Sequence, residues 1–328
     1  MIYITQVHRT RGVNYSIEHV FNIVNDNLKN CIRITKVILP FAYVRPFNLI
    51  KNILYARHRC SGVVHIVGEA HYIACFLSTK TIITIHDLSL VDFNRGFKRF
   101  FFYYLWYYFP LRKATFITCI SQTVKEELIA RFPFISNKIC TIYDPLDPSF
   151  SFKSKEFNTE FPVILHIGTA PNKNLERVIE ALKGVRCCLH VIGRKIGKYE
   201  KLLQESGIDY IYRSNLSNEE IIQEYESADI ISFPSLYEGF GMPIIEGQAI
   251  GRVVLTSKLN PMKEIAGTGA LFVDPYSVSS IRDGFLSLIK DNELRKELIE
   301  KGKANSAKFE ASRIADQYYK LYNKALQS

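Results

Sequence analysis

The residue pattern most suited to chemistry is a pair of glutamates, Glu238 and Glu246, on either side of a glycine-rich turn. An apolar run precedes the turn, and Pro243 follows it where a helix is predicted to begin, a position that favours proline. Gly239 and Gly241 have no side chains, so a ligand can approach the backbone there. Because the first N–H groups of a helix lack partners within it, the pattern predicts a binding site for an anion.

The two glutamates occupy different places in this strand, turn and helix. Glu246 lies one turn into the helix, where its carboxylate can accept two hydrogen bonds from a diol such as that of a ribose. Glu238 lies in the turn, at the carboxyl end of a predicted parallel strand, where open α/β sheets bind ligands. A solvated loop acid and an acid at a helix N-terminus are the alternative. Two acids around one glycine-rich turn favour the binding site.

A second strand, turn and helix carries Lys173, just before a helix predicted to begin at about Asn174. A cation is unfavourable beside a helix N-terminus unless an anion lies between them. The position therefore predicts that Lys173 has a free ammonium group that binds a diphosphate. A surface lysine at a helix cap is the alternative, because it gives the same pattern. The sequence has no Asp-x-Asp, whose carboxylates would hold a divalent metal on a diphosphate, so we expect metal-independent binding.

Two residues of the first half follow predicted strands. His86 comes after the strand over 81–85 and is able to donate a hydrogen bond to a sugar hydroxyl or a leaving group. A structural histidine at the sheet edge is an equal alternative. Gly12 follows the first strand and opens the first helix, but the GxGxxG dinucleotide motif is absent there. The sequence contains no Walker, GxSxG or HExxH motif.

Positive charge is concentrated in the first half of the sequence. The net charge is +10, and residues 1–150 hold 18 Lys and Arg against 9 Asp and Glu, whereas residues 151–328 hold 24 against 23. This asymmetry predicts an anionic partner for the first half: a phospholipid surface, a phosphorylated substrate or a nucleic acid. Because the first half has no RRM, KH, helix-turn-helix or zinc-finger motif, we expect no nucleic-acid partner.

The segment from Arg95 to Lys113 places aromatic residues between basic ends. This composition suits a membrane interface, and the apolar part is too short to span a bilayer. Burial between strands is the preferred interpretation for most of these aromatics, and basic ends that touch phospholipid are compatible with it.

Short apolar runs alternate with amphipathic segments along the 328 residues, a length that suits about two domains. The apolar runs predict strands over 2–7, 32–39, 63–67, 81–85, 115–120, 138–142, 162–167, 187–192, 208–212, 229–233, 252–256 and 270–273. The amphipathic segments predict helices over 16–28, 71–78, 97–109, 121–131, 174–184, 198–206, 217–227, 243–250, 261–266 and 278–290, before a helical tail over 293–326. This alternation predicts an α/β fold with two doubly wound parallel sheets.

The number of cysteines and the first residues of the sequence indicate in which cellular compartment the protein is located. There are seven cysteines, an odd number, and no pair has CxxC spacing, so reduced thiols are expected and a structural zinc site is not. The first residues lack the basic stretch and apolar run of a signal peptide. Both observations favour a cytoplasmic protein.

The segment from Glu238 to Glu246, an E-x7-E element, resembles the signature of the retaining glycosyltransferases of family 4, which have the GT-B fold. Further matches occur in the expected order, at His86-Asp87, Cys119–Ser121, Gly168–Asn174, Val191–Gly193 and Pro261–Pro275. The resemblance is specific over about 160–309 and looser over 1–150. It is strongest to bacterial enzymes that build surface polysaccharides.

The resemblance implies two Rossmann-like domains that face a cleft. Residues 1–150 would form the acceptor-side domain, and residues 151–309 would form the domain that binds a nucleotide-sugar. Residues 310–328 would form a C-terminal helix that crosses back to the first domain.

The resemblance also implies roles for single residues. Glu246 would hold the nucleotide ribose, Glu238 would lie beside the donor sugar, and Lys173 would neutralise the diphosphate. His86 would contact the donor sugar, and Gly12 would let the first loop approach the donor. Further donor contacts would come from the turn at Gly239, Phe240, Gly241 and Met242.

The sequence departs from the family pattern at two places. Many relatives have an arginine immediately before the lysine, and here Asn172 occupies that position. Arg194 or another basic group would then supply the missing charge on the diphosphate. Relatives often have two adjacent glycines in the first loop, where this chain has only Gly12.

The activity that the resemblance implies is metal-independent transfer of a hexose with retention of configuration and without a cofactor. The donor would be a nucleotide-sugar, with a slight preference for GDP-mannose over UDP-sugars. The acceptor would be a glycan, lipid-linked, in bacterial O-antigen or capsule synthesis, at the inner face of the plasma membrane. A nucleotide-sugar epimerase or phosphorylase of similar fold and a basic nucleic-acid-binding module are the alternatives.

Overall fold

The computed structural model describes residues 2–10, 15–42 and 44–328, so Gly12 lies outside the described residues. The chain divides into two compact units, the first combining Met1–Pro145 with Ala311–Ser328 and the second spanning Leu146–Glu310. Each unit is built around its own six-stranded parallel sheet.

The sheet of the first unit has the strand order β2-β1-β3-β4-β5-β6. These strands are β1 (Ile2–His8), β2 (Ile32–Ile38), β3 (Val63–Ile66), β4 (Thr81–Ile85), β5 (Phe116–Cys119) and β6 (Ile139–Thr141). The helices of this unit before the boundary are α1 (Tyr15–Leu28), α2 (Pro46–Arg59), α3 (Ser89–Asp92), α4 (Gly96–Phe102), α5 (Phe109–Lys113) and α6 (Gln122–Arg131).

The sheet of the second unit has the strand order β12-β11-β10-β7-β8-β9. These strands are β7 (Val163–Ile167), β8 (Cys188–Ile192), β9 (Asp209–Arg213), β10 (Ile230–Phe233), β11 (Val253–Ser257) and β12 (Leu271–Val273). Its helices are α7 (Leu175–Leu182), α8 (Gly197–Ser206), α9 (Asn218–Ser227), α10 (Met242–Ile250), α11 (Met262–Ala266), α12 (Val278–Lys290) and α13 (Asn292–Ser306), and the chain ends with α14 (Ala311–Gln327) in the first unit.

Helices cover both faces of each sheet, which accounts for the continuous apolar strands. Every residue of β4, β10 and β11 is buried. A parallel sheet that is buried on both sides requires this pattern, whereas a half-exposed strand alternates apolar and polar residues. The central strands therefore form the buried core of each sheet. Polar groups that could bind a ligand lie in the loops at the ends of these strands.

The last helix, α14, packs in the first unit against α1. Tyr322 of α14 is fully buried, and its hydroxyl lies 2.8 Å from Nδ1 of His65 on β3. The Nε2 atom of His65 lies 2.7 Å from the hydroxyl of Thr84 on β4. Burial lowers the pKa of His65 to about 3, so its imidazole is neutral at pH 7. The chain thus ends in the unit in which it begins.

The structure confirms all twelve predicted strands, and every strand boundary lies within one residue of its prediction. The helices agree less well. The predicted helix over 71–78 is a 3-10 helix over His71–Phe76, and the predicted helix over 97–109 is α4 followed by a π-helical segment over Tyr103–Tyr108.

Helix α2 is absent from the predicted helices. Its apolar residues are not confined to one face, because Leu49 and Ala56 are buried while Phe47 and Ile50 are exposed. A helix that is apolar on two sides gives no clear 3.6-residue pattern. The pattern was therefore insufficient to predict this helix.

Candidate active site

The loops that follow β7 and β10 emerge side by side at the carboxyl edge of the second sheet. The two strands are parallel neighbours, and Ser232 of β10 pairs with His166 of β7, so they end at the same level. The first loop carries Lys173 and the second carries Glu238. The topology therefore brings together two residues that are far apart in the sequence.

Several hydrogen bonds tie these loops to each other. The Leu236 N–H donates to the carbonyl of Asn172 at 2.8 Å, and the Asn172 side-chain amide donates to the carbonyl of Tyr237 at 2.8 Å. The buried side chain of Asn174 donates to the carbonyl of Pro234 at 3.0 Å. The amide of Asn172 thus holds the two loops together.

Lys173 and Glu238 form an ion pair, with 2.7 Å between Nζ and Oε1. The Lys173 ammonium also lies 4.8 Å from the ring centroid of Phe233, at a distance that suits a cation–π contact. The expectation of a free ammonium group at Lys173 is therefore wrong. The two predicted residues are direct partners, so the carboxylate of Glu238 partly neutralises the charge of Lys173.

Gly168 determines where the side chain of Lys173 lies. Its φ is +97°, a conformation that favours glycine. A Cβ atom at this position would lie 2.7 Å from Cγ of Lys173 and 2.9 Å from its Cε. The lysine side chain thus lies across the bare backbone of the glycine, which directs its ammonium group to Glu238.

Glu246 lies on α10, and its carboxylate accepts a hydrogen bond from the hydroxyl of Tyr225 on α9. Tyr225 is fully buried, and burial, followed by the charge of Glu246, raises its pKa well above the usual value. The phenol therefore stays protonated and acts as a donor. Sequence reasoning missed Tyr225, because nothing in the pattern of α9 links it to a residue twenty-one positions later.

The turn before α10 has the backbone conformation that its glycines suggest. Gly241 has a φ of +118° and caps the helix, and Met242 and Pro243 are its first two residues. Phe240 is buried, and its ring meets that of Phe309 edge to face with 5.7 Å between centroids. Gly239 is partly exposed between Glu238 and this anchored ring.

Arg194 follows β8, the strand next to β7. Its carbonyl accepts hydrogen bonds from the hydroxyls of Thr169 and Tyr212, both at 2.8 Å, and its side chain is exposed. Thr169 belongs to the loop that carries Lys173. The backbone of Arg194 is thus fixed beside that loop, and its side chain forms no part of the Lys173–Glu238 pair.

His86 lies in the first unit, directly after β4 and largely buried. Its Nε2 lies 2.9 Å from the carbonyl of Val67, which only accepts, so Nε2 must carry the proton. Burial lowers the pKa of His86, more than its hydrogen bond to Val67 and the nearby Asp87 raise it. His86 is therefore a neutral imidazole whose Nδ1 is an acceptor.

Among the residues that the structure describes, no group of three or more His, Cys, Asp or Glu side chains is placed to hold a metal ion. All seven cysteines are free thiols. In the described part of the chain, no helix has both the length and the apolar character needed to cross a membrane.

Both units match families of glycosyltransferases. Residues 17–150 match the family described as Glycosyltransferase Family 4, and residues 148–305 match the family described as Glycosyl transferases group 1. The two matches overlap at residues 148–150 and together include the Lys173 and Glu238 loops, α10 and the strand that precedes His86.

Individual proteins give the same result. The chain is 26% identical over 259 residues to an uncharacterised glycosyltransferase of Methanocaldococcus jannaschii, covering 75% of this chain and 69% of that protein. It is 26% identical over 274 residues to the O-antigen chain mannosyltransferase RfbU of Salmonella typhimurium, covering 80% and 73%. HepE of Anabaena, solved in complex with UDP and glucose, is similar in fold with a TM-score of 0.81 and 13% identity, covering 99% of this chain and all of the other. The chain is thus a GT4-type glycosyltransferase with the two-domain GT-B fold.

Proposed function

We propose that this enzyme transfers a hexose from a nucleotide-sugar to a glycan acceptor with retention of configuration, and that mannose from GDP-mannose is the preferred donor. The observation that carries the proposal is the Lys173–Glu238 pair beside α10 and Glu246. A cation, a helix N-terminus and two carboxylates are the groups that a sugar joined to a nucleoside diphosphate requires.

The proposed role of Lys173 follows from the charge that develops in the reaction. Breaking the bond between the sugar and the diphosphate leaves negative charge on the phosphate and positive character on the sugar ring. Lys173 and the N-terminus of α10 stabilise the negative charge where it forms. Glu238, which is already the partner of Lys173, offsets the positive character of the ring.

The proposed role of Glu246 is to bind the ribose. Its carboxylate can accept two hydrogen bonds from the vicinal hydroxyls, and the hydrogen bond from Tyr225 restricts the orientation of the carboxylate. A carboxylate held in one orientation loses less side-chain entropy when it binds a diol. A sugar hydroxyl that contacts His86 would have to donate to Nδ1, because the Nε2–H group already donates to the carbonyl of Val67.

The choice of donor and acceptor is supported by the relatives. RfbU is named as an O-antigen chain mannosyltransferase, which supports mannose and a growing bacterial surface glycan. HepE binds UDP and glucose, which supports a UDP-sugar as the second candidate donor. The proposed acceptor is lipid-linked, because the positive charge of residues 1–150 suits an anionic membrane surface, in this proposal that of the cytoplasmic face.

The donor site is tested by thermal stabilisation and by turnover. A ligand that binds the folded state raises its stability in proportion to the logarithm of its excess over Kd. We expect GDP and GDP-mannose to raise the unfolding temperature with or without magnesium. We expect Lys173→Ala and Glu246→Ala to lose most turnover and most of this stabilisation.

The matched control variants are Lys183→Ala and Glu180→Ala, which remove an exposed lysine and glutamate that are paired at 2.7 Å elsewhere in the second unit. Both should leave turnover unchanged. Near-normal turnover of Lys173→Ala and Glu246→Ala would contradict the site. Stabilisation by UDP-sugars and not by GDP-mannose would show that the donor is a UDP-sugar. A nucleotide-sugar isomerised without an acceptor would indicate an epimerase.

A further inference from the structure

Helix α2 of the first unit has an apolar face that no part of the described chain covers. Phe47, Ile50 and Leu54 are exposed by 66%, 56% and 50%. Their spacing of three and then four residues places them on one side of the helix. Leu49 and Ala56 lie on the side that packs on the core. An outward row of large apolar side chains on a helix already anchored by its inner side is typical of an interaction surface.

A second apolar row lies on α4, in which no residue is buried. Phe97 and Phe100 are exposed by 81% and 59%, and Phe93, between α3 and α4, is exposed by 69%. The preferred interpretation of the aromatic stretch as a buried helix thus applies to its later part, where Trp106 and Tyr107 are buried. The first part of the stretch lies on the surface.

Residues beside the two rows line one pocket of the first unit. Val44 and Leu49 line it from the α2 side, and Phe102 and Trp106 line it from the end of α4 and the π-helical segment. Helix α2 and the end of α4 therefore lie close to each other at this pocket. We use "docking face" for the exposed residues of 44–60 and 93–113.

The charge of the docking face has one sign. Residues 44–60 contain four Lys and Arg, residues 93–113 contain five, and neither segment contains an Asp or Glu. The Lys51 ammonium lies 4.2 Å from the ring centroid of Phe47, and the Arg59 guanidinium lies 3.9 Å from that of Tyr55. Cations and aromatic rings are thus interleaved at the surface.

The positive charge and the apolar rows together indicate what binds to the docking face. A second copy of the chain seated through the same face would bring two sets of positive charges together, which is unfavourable. An anionic bilayer attracts each Lys or Arg near its surface by about 1 kcal/mol, and its interfacial region accepts aromatic side chains. Such a surface matches both the positive charge and the apolar rows.

We propose that α2 and α4 dock the enzyme on an anionic phospholipid bilayer, with Phe47, Ile50, Phe97 and Phe100 entering the interfacial region and the neighbouring Lys and Arg contacting lipid phosphates. The proposal rests on the proposed function, since a lipid-linked acceptor would lie in that bilayer. It goes beyond attraction by net charge, because it names the face and requires apolar insertion.

The test uses the full chain and sedimentation with vesicles of phosphatidylcholine, alone or mixed with phosphatidylglycerol. We expect binding only to the anionic vesicles, weakened but not abolished at high salt. Phe97→Ser/Phe100→Ser should lower the partition coefficient at least about tenfold, since each ring would otherwise be transferred out of water. Lys98→Glu/Arg99→Glu should abolish the preference for anionic vesicles.

Tyr276→Ser is the matched control, because it removes an aromatic ring of the second unit that is 61% exposed. It should bind vesicles as the unchanged protein does. Each variant is also tested for nucleotide-induced stabilisation, which shows that it is folded and needs no membrane. Loss of vesicle binding with this stabilisation intact supports the proposal.

The proposal is overturned if the protein ignores anionic vesicles at low salt, or if Phe97→Ser/Phe100→Ser binds them normally. A dimer in sedimentation velocity that the same variant dissociates, without vesicle binding, would assign the face to a second copy. Vesicle binding by a protein that no nucleotide stabilises would leave the docking face standing and remove the proposed function.

Discussion

The ion pair between Lys173 and Glu238 means that these two residues act as a unit. In the proposed function, a diphosphate would compete with Glu238 for Lys173 and would weaken the ion pair between them. Both side chains are largely buried, and removing one partner leaves the other charge poorly compensated. Alanine variants at either position therefore report on stability as well as on catalysis, and the unfolding temperature must be measured beside turnover.

Tyr225 is expected to act as a positioning residue through Glu246. Tyr225→Phe removes the hydroxyl that donates to the carboxylate and keeps the buried ring. A hydrogen bond to a charged group contributes about 1.5 kcal/mol or more, so we expect KM for the nucleotide-sugar to rise roughly tenfold. The kcat should change little, because the proposed contact of Glu246 to ribose would be the same in the ground state and the transition state.

The control for this change is Tyr199→Phe, which removes the hydroxyl of another largely buried tyrosine of the second unit, on α8. Steady-state kinetics at varied donor concentration separate the two parameters. An equal loss of kcat and kcat/KM in Tyr225→Phe would show that the tyrosine acts in the chemical step. No change in either would remove it from the site.

At the scale of elements, the strands and the glycine-rich turn could be predicted from the sequence. The apolar runs are continuous because the sheets are buried on both faces, and Glu238 and Glu246 lie in a local strand, turn and helix. The pairing of Lys173 with Glu238 could not be predicted, because it depends on β7 and β10 being neighbours in the sheet. Tyr225 lies on a separate helix, so its contact with Glu246 is likewise set by tertiary packing.

Gly168→Ala is predicted to disturb the loop after β7 in two ways. The positive φ costs about 1–2 kcal/mol for a residue with a Cβ atom. The new methyl group would also overlap the side chain of Lys173, which must move away from Glu238. We expect a lower unfolding temperature and a loss of turnover of at least about tenfold, which corresponds to 1.4 kcal/mol.

Gly184→Ala separates these two effects. Gly184 also has a positive φ, of +69°, but a Cβ atom there would have no neighbour within 4 Å. It should lower the unfolding temperature by a similar amount and leave turnover and nucleotide binding unchanged. Equal losses of turnover in the two variants would show that the site does not depend on the position of Lys173.

At the scale of the whole molecule, the chain passes between the two units twice. It leaves the first unit after Pro145 and returns at Ala311. The Leu146 N–H donates to the carbonyl of Phe309 at 2.7 Å, so the outgoing and returning segments run together at the edge of the second unit. Asp144, immediately before the first crossing, is almost entirely buried. Its charge therefore bears on the stability of the first unit.

Asp144 is predicted to make the first unit less stable as the pH rises. Burial raises its pKa from the usual value to about 7. Between about pH 4 and pH 7 the folded state then binds more protons than the unfolded state, whose aspartate has a pKa of about 3.9, so the free energy of unfolding falls through this window. Asp144→Asn removes the titrating carboxyl group. The variant should be only slightly more stable than the unchanged protein at pH 4.5, and the difference should be largest above pH 7.

Thermal unfolding of Asp144→Asn and the unchanged protein at a series of pH values measures this difference. One pKa unit is about 1.4 kcal/mol, so the difference in unfolding temperature at pH 8 should reach several degrees. Asp283→Asn, which removes an exposed carboxylate on α12, is the control and should show no such growth with pH. Buried histidines such as His65, whose lowered pKa favours folding at higher pH, are common to all variants and cancel in the comparison. A difference in stability that does not change with pH would mean that folding does not raise the pKa of Asp144, and would contradict the prediction.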